Sequence, residues 1–196
     1  MQIWNKINTP AKVQDYINAI PFNFEKGGET LRSPHEVMKK NKAHCLEGAL
    51  LASAILSHHK IKNYLLDLKT RARAGDMDHV ECVFKIGKYF GAISKTNHAV
   101  LRYREPVYKN ARELAMSYYH EYFLYDGTKT LDSFSSLMPT SILKTGWQTS
   151  EENLWYIVKI LNSLPHTKIV PEYLANKLRK ADEIEIKAGK LIEFKK

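Results

Sequence analysis

Cysteine is scarce in this chain: Cys45 and Cys82 are the only two in 196 residues. Two thiols do not make a disulfide framework at this size. No pair of Cys or His residues has CxxC or HxxxH spacing, so the ligand set of a closed zinc site is missing and neither metal nor cofactor is expected. There is no run of about 18 apolar residues, so no transmembrane helix and no membrane partner are expected. The opening Met1-Gln2-Ile3-Trp4-Asn5-Lys6 lacks the charged and apolar regions of a secretory signal, which makes the cytoplasm the expected location. Internal repeats, low-complexity linkers and nucleic-acid-binding motifs are absent as well. The simplest organisation is one domain over residues 1–196, long enough to bury a substantial core.

Acid is in short supply too. Thirty Lys and Arg stand against 21 Asp and Glu, a net charge of +9. The excess is spread over Lys60 to Arg73, Lys95 to Arg112 and the tail from Lys177 to Lys196. That bias favours an anionic partner non-specifically, and a solvated basic surface accounts for it equally well. Hydrophobic residues make up 44% and charged residues 26%, ordinary values for a globular protein.

What is present begins with helices. Thr9-Pro10 is an N-cap followed by proline at the first helical position, and Val13, Tyr16, Ile17 and Ile20 recur at helical spacing up to Pro21. Ser33-Pro34-His35-Glu36 has the form of a capping box opening a short helix with Val37 and Met38. From Ile61 the pattern turns to strand, first at Tyr64 to Leu68. His79 to Ile86 alternates cleanly, with Val80, Cys82, Phe84 and Ile86 on one face, and Gly87-Lys88 turns the chain back through Tyr89 to Ser94. Val107 to Phe123 has helical spacing, and its tyrosines are expected to pack rather than stack on bases. Ser133 to Thr145 is irregular. Thr149-Ser150-Glu151-Glu152 forms a second capping box before a helix ended by Pro165. A last helix opens at Pro171, and the tail beyond Ala181 is a solvated helix or a short strand.

One stretch organises the rest: Ala43-His44-Cys45-Leu46-Glu47-Gly48-Ala49-Leu50-Leu51-Ala52-Ser53-Ala54-Ile55-Leu56. It sets a thiol at the start of an apolar helix of small residues, where the helix dipole favours thiolate. The bland reading is a buried structural cysteine, and Cys82 on its apolar strand face is read that way. His58-His59 closes the helix, where imidazoles suit the C-terminal dipole. The hairpin serves as a ruler: pairing Ile86 with Tyr89 carries back to His79 opposite Thr96. His79, Glu81, Ser94 and Thr96 then share one face, with Cys82 on the other.

A helix N-terminal cysteine, a strand, then a hairpin beginning with histidine resembles the transglutaminase-like branch of the papain-like cysteine hydrolases. The matching residues are Cys45 in Ala43-His44-Cys45-Leu46-Glu47-Gly48 and His79 in Asp76-Met77-Asp78-His79-Val80, within roughly Ser33 to Thr96. Gly91-Ala92-Ile93-Ser94-Lys95 and Leu101 to Tyr108 are similar to a narrower group of transglutaminase-like proteins. The resemblance implies an α+β fold with a central helix packed on an antiparallel sheet. It implies Cys45 as nucleophile, His79 as base, and an acidic or amide residue on the next strand to orient the histidine. At that third position this chain offers Ser94 or Thr96; Asn97 would serve if a bulge turned it inward, and Asp76 or Asp78 could reach from the loop. The Cys45 backbone N–H is the natural oxyanion donor, with Asn23 as a candidate second. The expected function is a cysteine hydrolase or acyltransferase acting on an amide or peptide bond of a peptide or protein. The alternative is a module that keeps the fold without the chemistry and binds an anionic partner such as nucleic acid.

Overall fold

Thr9 opens the first helix, its hydroxyl accepting the Lys12 N–H at 3.3 Å, with Pro10 at the first helical position. In the computed structural model, which describes residues 3–72, 74–175 and 177–195, this helix is α1 (Pro10–Ala19), followed by α2 (Pro34–Lys40) and α3 (Cys45–His58). Arg73 of the Lys60–Arg73 charge run, the terminal Lys196, and Met1, Gln2 and Asn176 lie outside the described residues. The strands are β1 (Asn63–Thr70), β2 (His79–Ile86), β3 (Tyr89–Ile93), β4 (Arg104–Tyr108), β5 (Leu131–Ser135) and β6 (His166–Lys168). Four further helices, α4 (Ala111–Met116), α5 (Trp155–Ser163), α6 (Glu172–Ala175) and α7 (Glu183–Gly189), complete an α+β architecture. The sheet is antiparallel throughout, in the order β4-β3-β2-β1-β5-β6.

Helix α3 is buried on all sides from Leu46 to Leu56, as its run of leucines and small residues requires. It lies between α1 and α2 on one side and β1 and β2 on the other. Gly48 lets the Lys95 stem approach: a Cβ there would stand 2.5 Å from Lys95 Cβ. The Lys95 ammonium donates to the Ile17 and Ile20 carbonyls at the end of α1. One core joins α3 to Leu65, Val80, Cys82, Phe84 and Ile93 of the sheet. A second covers the opposite face, where Leu66, Leu68, Val83 and Ala92 meet Leu114, Tyr118, Tyr119 and Tyr122. The sheet is thus covered on both faces, and β2 is buried from His79 to Phe84.

Several local expectations are corrected. The helix expected over Val107–Phe123 is only α4, preceded by strand β4. Pro106 is accommodated because β4 is an edge strand, where the lost N–H breaks no inner ladder. Asn110 starts α4 by accepting the Glu113 N–H at 2.9 Å, and Ser117 turns its hydroxyl onto Leu114 O at 2.7 Å where the helix ends. Thr149 opens no helix: its hydroxyl donates to the Gly146 carbonyl at 3.3 Å, α5 begins at Trp155, and the Ser150 carbonyl accepts the Ser33 hydroxyl at 2.6 Å. Ser33 does cap α2, but Glu36 pairs with Lys39 at 3.2 Å instead of reaching back. The stretch taken as irregular begins inside a strand: Ser133 to Ser135 are the last residues of β5, which pairs with both β1 and β6. The helix from Pro171 is a single turn, Glu172–Ala175. Among the described residues no helix is long and apolar enough to cross a membrane.

Candidate active site

The start of α3 is anchored by a buried carboxylate. Glu47 accepts the His44 N–H at 3.1 Å, the Arg32 N–H at 3.0 Å, the Thr30 hydroxyl at 2.7 Å and the Asn23 amide at 3.1 Å. These bonds fasten the loop between α1 and α2 to the first turn of α3. Cys45 is the first residue of that turn, so its own N–H has no partner within the helix. Burial raises the Cys45 pKa, but hydrogen bonding and charge from the His44 and His79 imidazoles outweigh it and bring the thiol down to about 5. Burial likewise lowers His44, and the thiol together with Glu47 carries it up to about 9. His79 is also raised: burial opposes this, and Cys45 is the largest favourable cause.

His79 opens β2 and is held by Ser94, whose Oγ lies 2.8 Å from Nε2. Ser94 also stands 2.6 Å from the Leu101 carbonyl, which can only accept. The single hydroxyl proton therefore goes to Leu101, and Ser94 accepts from His79 Nε2–H. That fixes the tautomer and leaves Nδ1 for the thiol. Gln14 clamps Ser94 from α1, taking its N–H at 2.9 Å and donating to its carbonyl at 2.8 Å. Leu101 is held in the left-handed region at φ 59°, its N–H donating to Glu121 at 2.8 Å; such strain in a non-glycine residue costs about 1–3 kcal/mol and persists where the surroundings impose it.

The hairpin ladder runs from Ile86↔Tyr89 to Cys82↔Ile93 and stops there. Beyond it the other candidates for the third position are committed elsewhere. Thr96 Oγ accepts the His98 N–H at 3.1 Å. Asn97 exchanges both side-chain bonds with Phe194, at 2.9 and 2.8 Å. Asp78 is held by Lys69 at 2.7 Å and the Thr70 N–H at 2.9 Å, and Asp76 by Thr130 and the Met77 N–H. Ser94 alone of these meets His79. Asn23 directs its two amide hydrogens at Thr30 Oγ1 (2.8 Å) and Glu47 (3.1 Å), leaving none for an oxyanion. Cys82 is fully buried, and burial raises its thiol pKa far above the ordinary range. Among the described residues no group of three or more His, Cys, Asp or Glu is placed to hold a metal.

Two neighbours were not singled out as site residues from the sequence. His44 precedes Cys45 directly, a position whose only signal is adjacency. Glu81 shares the His79 face by alternation, yet neither of its carboxylate oxygens has a hydrogen-bond partner among the described residues. The Tyr118 hydroxyl directs its proton to Arg102 O at 3.2 Å instead. Burial raises the Glu81 pKa to about 7, opposed by the charge of His79. A folded pKa above the unfolded value of about 4.3 makes the native state bind more protons, so this group lowers stability as pH climbs through that window. Glu81→Gln is expected to stabilise the fold by about 1–3 kcal/mol above pH 7 and to make no difference near pH 4. Urea titrations of both proteins across that range check it; equal loss at both ends would mean the carboxylate is ionised and paired.

A cleft of about 440 Å³ borders this region, with Phe24, Lys26, Thr30, Arg32, Lys42 and Lys195 in its walls. No protein-family model matches the chain, and no curated protein matches it.

Proposed function

We propose that the chain is a cysteine hydrolase or acyltransferase, built on the transglutaminase-like variant of the papain-like fold and acting on an amide or peptide bond of a peptide or protein. The observation that carries the reading is a thiol at a helix start, brought down to about 5 beside an imidazole whose far nitrogen is held by Ser94. The Cys45 thiolate attacks the acyl carbon, and His79 passes its Nδ1 proton to the leaving amine as the C–N bond breaks. Water or a second amine then gives a proton to His79 and attacks the thioester, releasing the thiolate. The Cys45 N–H faces the charge that develops on the acyl oxygen. A cytoplasmic setting suits the reading, since a free thiol persists there.

An activated ester tests it. With p-nitrophenyl acetate, one equivalent of p-nitrophenol is expected in a burst, with acetate on Cys45 by peptide mapping. Cys45→Ser should abolish the burst, and His79→Asn should slow deacylation by about 10²–10⁴-fold. Acetate scattered over lysines with no burst would refute the assignment.

The second reading, a nucleic-acid-binding module, has its own observation. A cleft of about 610 Å³ near the far end of α3 is lined by Lys60, Lys62 and Lys144 with Tyr64 and Trp147, and by no carboxylate. It predicts oligonucleotide affinity that falls with salt and survives loss of Cys45.

A further inference from the structure

The walls of the cleft beside the helix start are cationic, and one of their donors has no partner. We propose that this cleft of about 440 Å³ is the acyl-side specificity site, taking a peptide acyl donor with a carboxylate side chain two or three residues from the reacting carbonyl. This rests on the thiol-nucleophile reading above.

The cleft is tied to the first turn of α3 by its own wall residues. The Thr30 carbonyl accepts the His44 Nε2–H at 2.9 Å, and its hydroxyl donates to Glu47 at 2.7 Å. Asn23 donates its amide to Glu47 at 3.1 Å and its backbone N–H to the Ala43 carbonyl at 3.0 Å. Lys42, also in the wall, is three residues before Cys45, so their Cα atoms are at most about 11 Å apart. An extended acyl chain advances roughly 3.3–3.6 Å per residue, so a side chain two or three residues from the carbonyl falls within that span. His79 sets the direction. It opens β2 on the sheet side of α3 and protonates the leaving amine, so the acyl remainder extends away from the sheet. There the loop between α1 and α2 forms the cleft.

Charge selects the ligand. Lys26, Lys42 and Lys195 are exposed and Arg32 is half-buried in the walls, against Glu25 as the one acid among the described lining residues. Glu25 is partly spent, since its Oε1 accepts the Thr30 N–H at 2.7 Å. A concave wall of one dominant sign draws an anion into it. Arg32 supplies the specific contact. Its backbone N–H is fixed on Glu47 at 3.0 Å, while its Nη1 is buried without a hydrogen-bond partner among the described residues. Glu47 stands 3.9 Å from that nitrogen, beyond hydrogen-bond reach, and its oxygens already accept from His44, Arg32, Thr30 and Asn23. A buried donor left unpaired is costly, and a guanidinium meets a carboxylate through two parallel N–H bonds. Phe22 and Phe24, edge to face at 5.2 Å, line the same cleft with Phe194, whose backbone is fixed by Asn97. Apolar wall beside a cationic one suits an acidic side chain on its hydrocarbon stem.

The test uses tripeptide p-nitrophenyl esters with glutamate, glutamine or lysine two or three residues from the ester carbonyl. Acylation is read as p-nitrophenol release at pH 7 and low salt: the Cys45 thiolate attacks the ester carbon and p-nitrophenolate leaves. The glutamate ester is expected to acylate Cys45 about 10–100-fold faster in kcat/KM than its glutamine isostere, with lysine slowest. Arg32→Gln should remove most of that preference, and Arg32→Lys, which keeps the charge without the fork, should restore part of it. Lys88→Gln, in the turn at the opposite end of β2 from His79, should leave the preference intact. If Arg32→Gln does not fold, the double variant Lys26→Gln, Lys42→Gln, at two exposed positions, takes its place and should reduce the preference severalfold. A burst with all three esters at rates within about threefold overturns the proposal and leaves the nucleophile standing. So does a glutamate preference that survives loss of Arg32, Lys26 and Lys42. No burst with any ester refutes the nucleophile itself.

Discussion

At about pH 6, iodoacetamide is expected to label Cys45 at least 10³-fold faster than Cys82. Two thiols in one chain are driven in opposite directions by the same physics. Both are penalised by burial. The His44 and His79 imidazoles bring Cys45 down to about 5; Cys82 lies on the α3-facing side of β2 and is raised further by the charge of Glu81. The size of the Cys45 effect is itself bounded. Near pH 6 a thiol with a pKa of about 5 is roughly 90% thiolate, whereas an ordinary thiol at about 8.5 is roughly 0.3%, a gain of about 300-fold. Nucleophilicity falls with pKa, at a Brønsted slope of about 0.4–0.5, which returns roughly 40-fold of it. The net advantage over an exposed ordinary thiol is therefore only about tenfold, and the large contrast is with Cys82. Equal, slow labelling of both would refute the depressed thiol.

Both groups couple folding to pH, in opposite directions. A thiol lowered on folding contributes stability above its unfolded pKa and loses it as pH falls through about 5. A histidine raised on folding contributes fully below its unfolded value of about 6.5 and loses it as pH rises through about 9. Labelling of Cys45 should therefore rise near pH 5 and reach a plateau above it.

The elements that were legible in the chain are those whose signals are local. The Thr9-Pro10 cap, the all-apolar helix after Cys45 and the Gly87-Lys88 hairpin each write their geometry into neighbouring residues. The hairpin register brought Ser94 to the His79 face by counting alone. What escaped depended on distant partners. β4 is a strand because β3 offers it an edge, and β5 because β1 and β6 flank it; neither partnership leaves a trace in the spacing of Val107–Phe123 or Ser133–Thr145. Thr149 looked like a cap, yet its hydroxyl turns back to the Gly146 carbonyl, and the Ser150 carbonyl beside it serves Ser33, over a hundred residues upstream. In the site, adjacency could place His44 beside the thiol, but Thr30 and Glu47 settle what its ring does. Asn97 and the loop aspartates were reasonable partners for His79 until Phe194, Lys69 and Thr130 took up their polar atoms.

Gly91→Ala is expected to destabilise the fold by about 3–4 kcal/mol, near the upper end for an inserted methyl group. An added Cβ would lie 2.5 Å from Phe84 Cζ and 2.6 Å from the Arg104 carbonyl oxygen. The first contact is a side chain, but Phe84 is fully buried and stacked on Tyr103 at 5.9 Å, with no room to withdraw. The second is backbone on β4, and moving it parts β4 from β3 at the point where their register already shifts between Phe90 and Ala92. The damage should extend to the site. Arg104 pairs with Glu121 at 2.7 Å, and Glu121 holds the strained Leu101 whose carbonyl takes the Ser94 proton. A displaced β4 thus loosens Ser94 and frees the His79 ring. Gly87→Asn is the control: Gly87 has φ 57° with nothing within 4 Å of an added Cβ, and asparagine tolerates that conformation, so a change below about 1 kcal/mol is expected. In urea melts Gly91→Ala should separate clearly from Gly87→Asn, with a thermal midpoint lower by roughly 6–16 °C. It should also slow deacylation of acetyl-Cys45 at temperatures where the protein is still folded. If the two variants melt together, β4 is not packed on β3 as described, and the route from Arg104 through Glu121 and Leu101 to Ser94 fails with it.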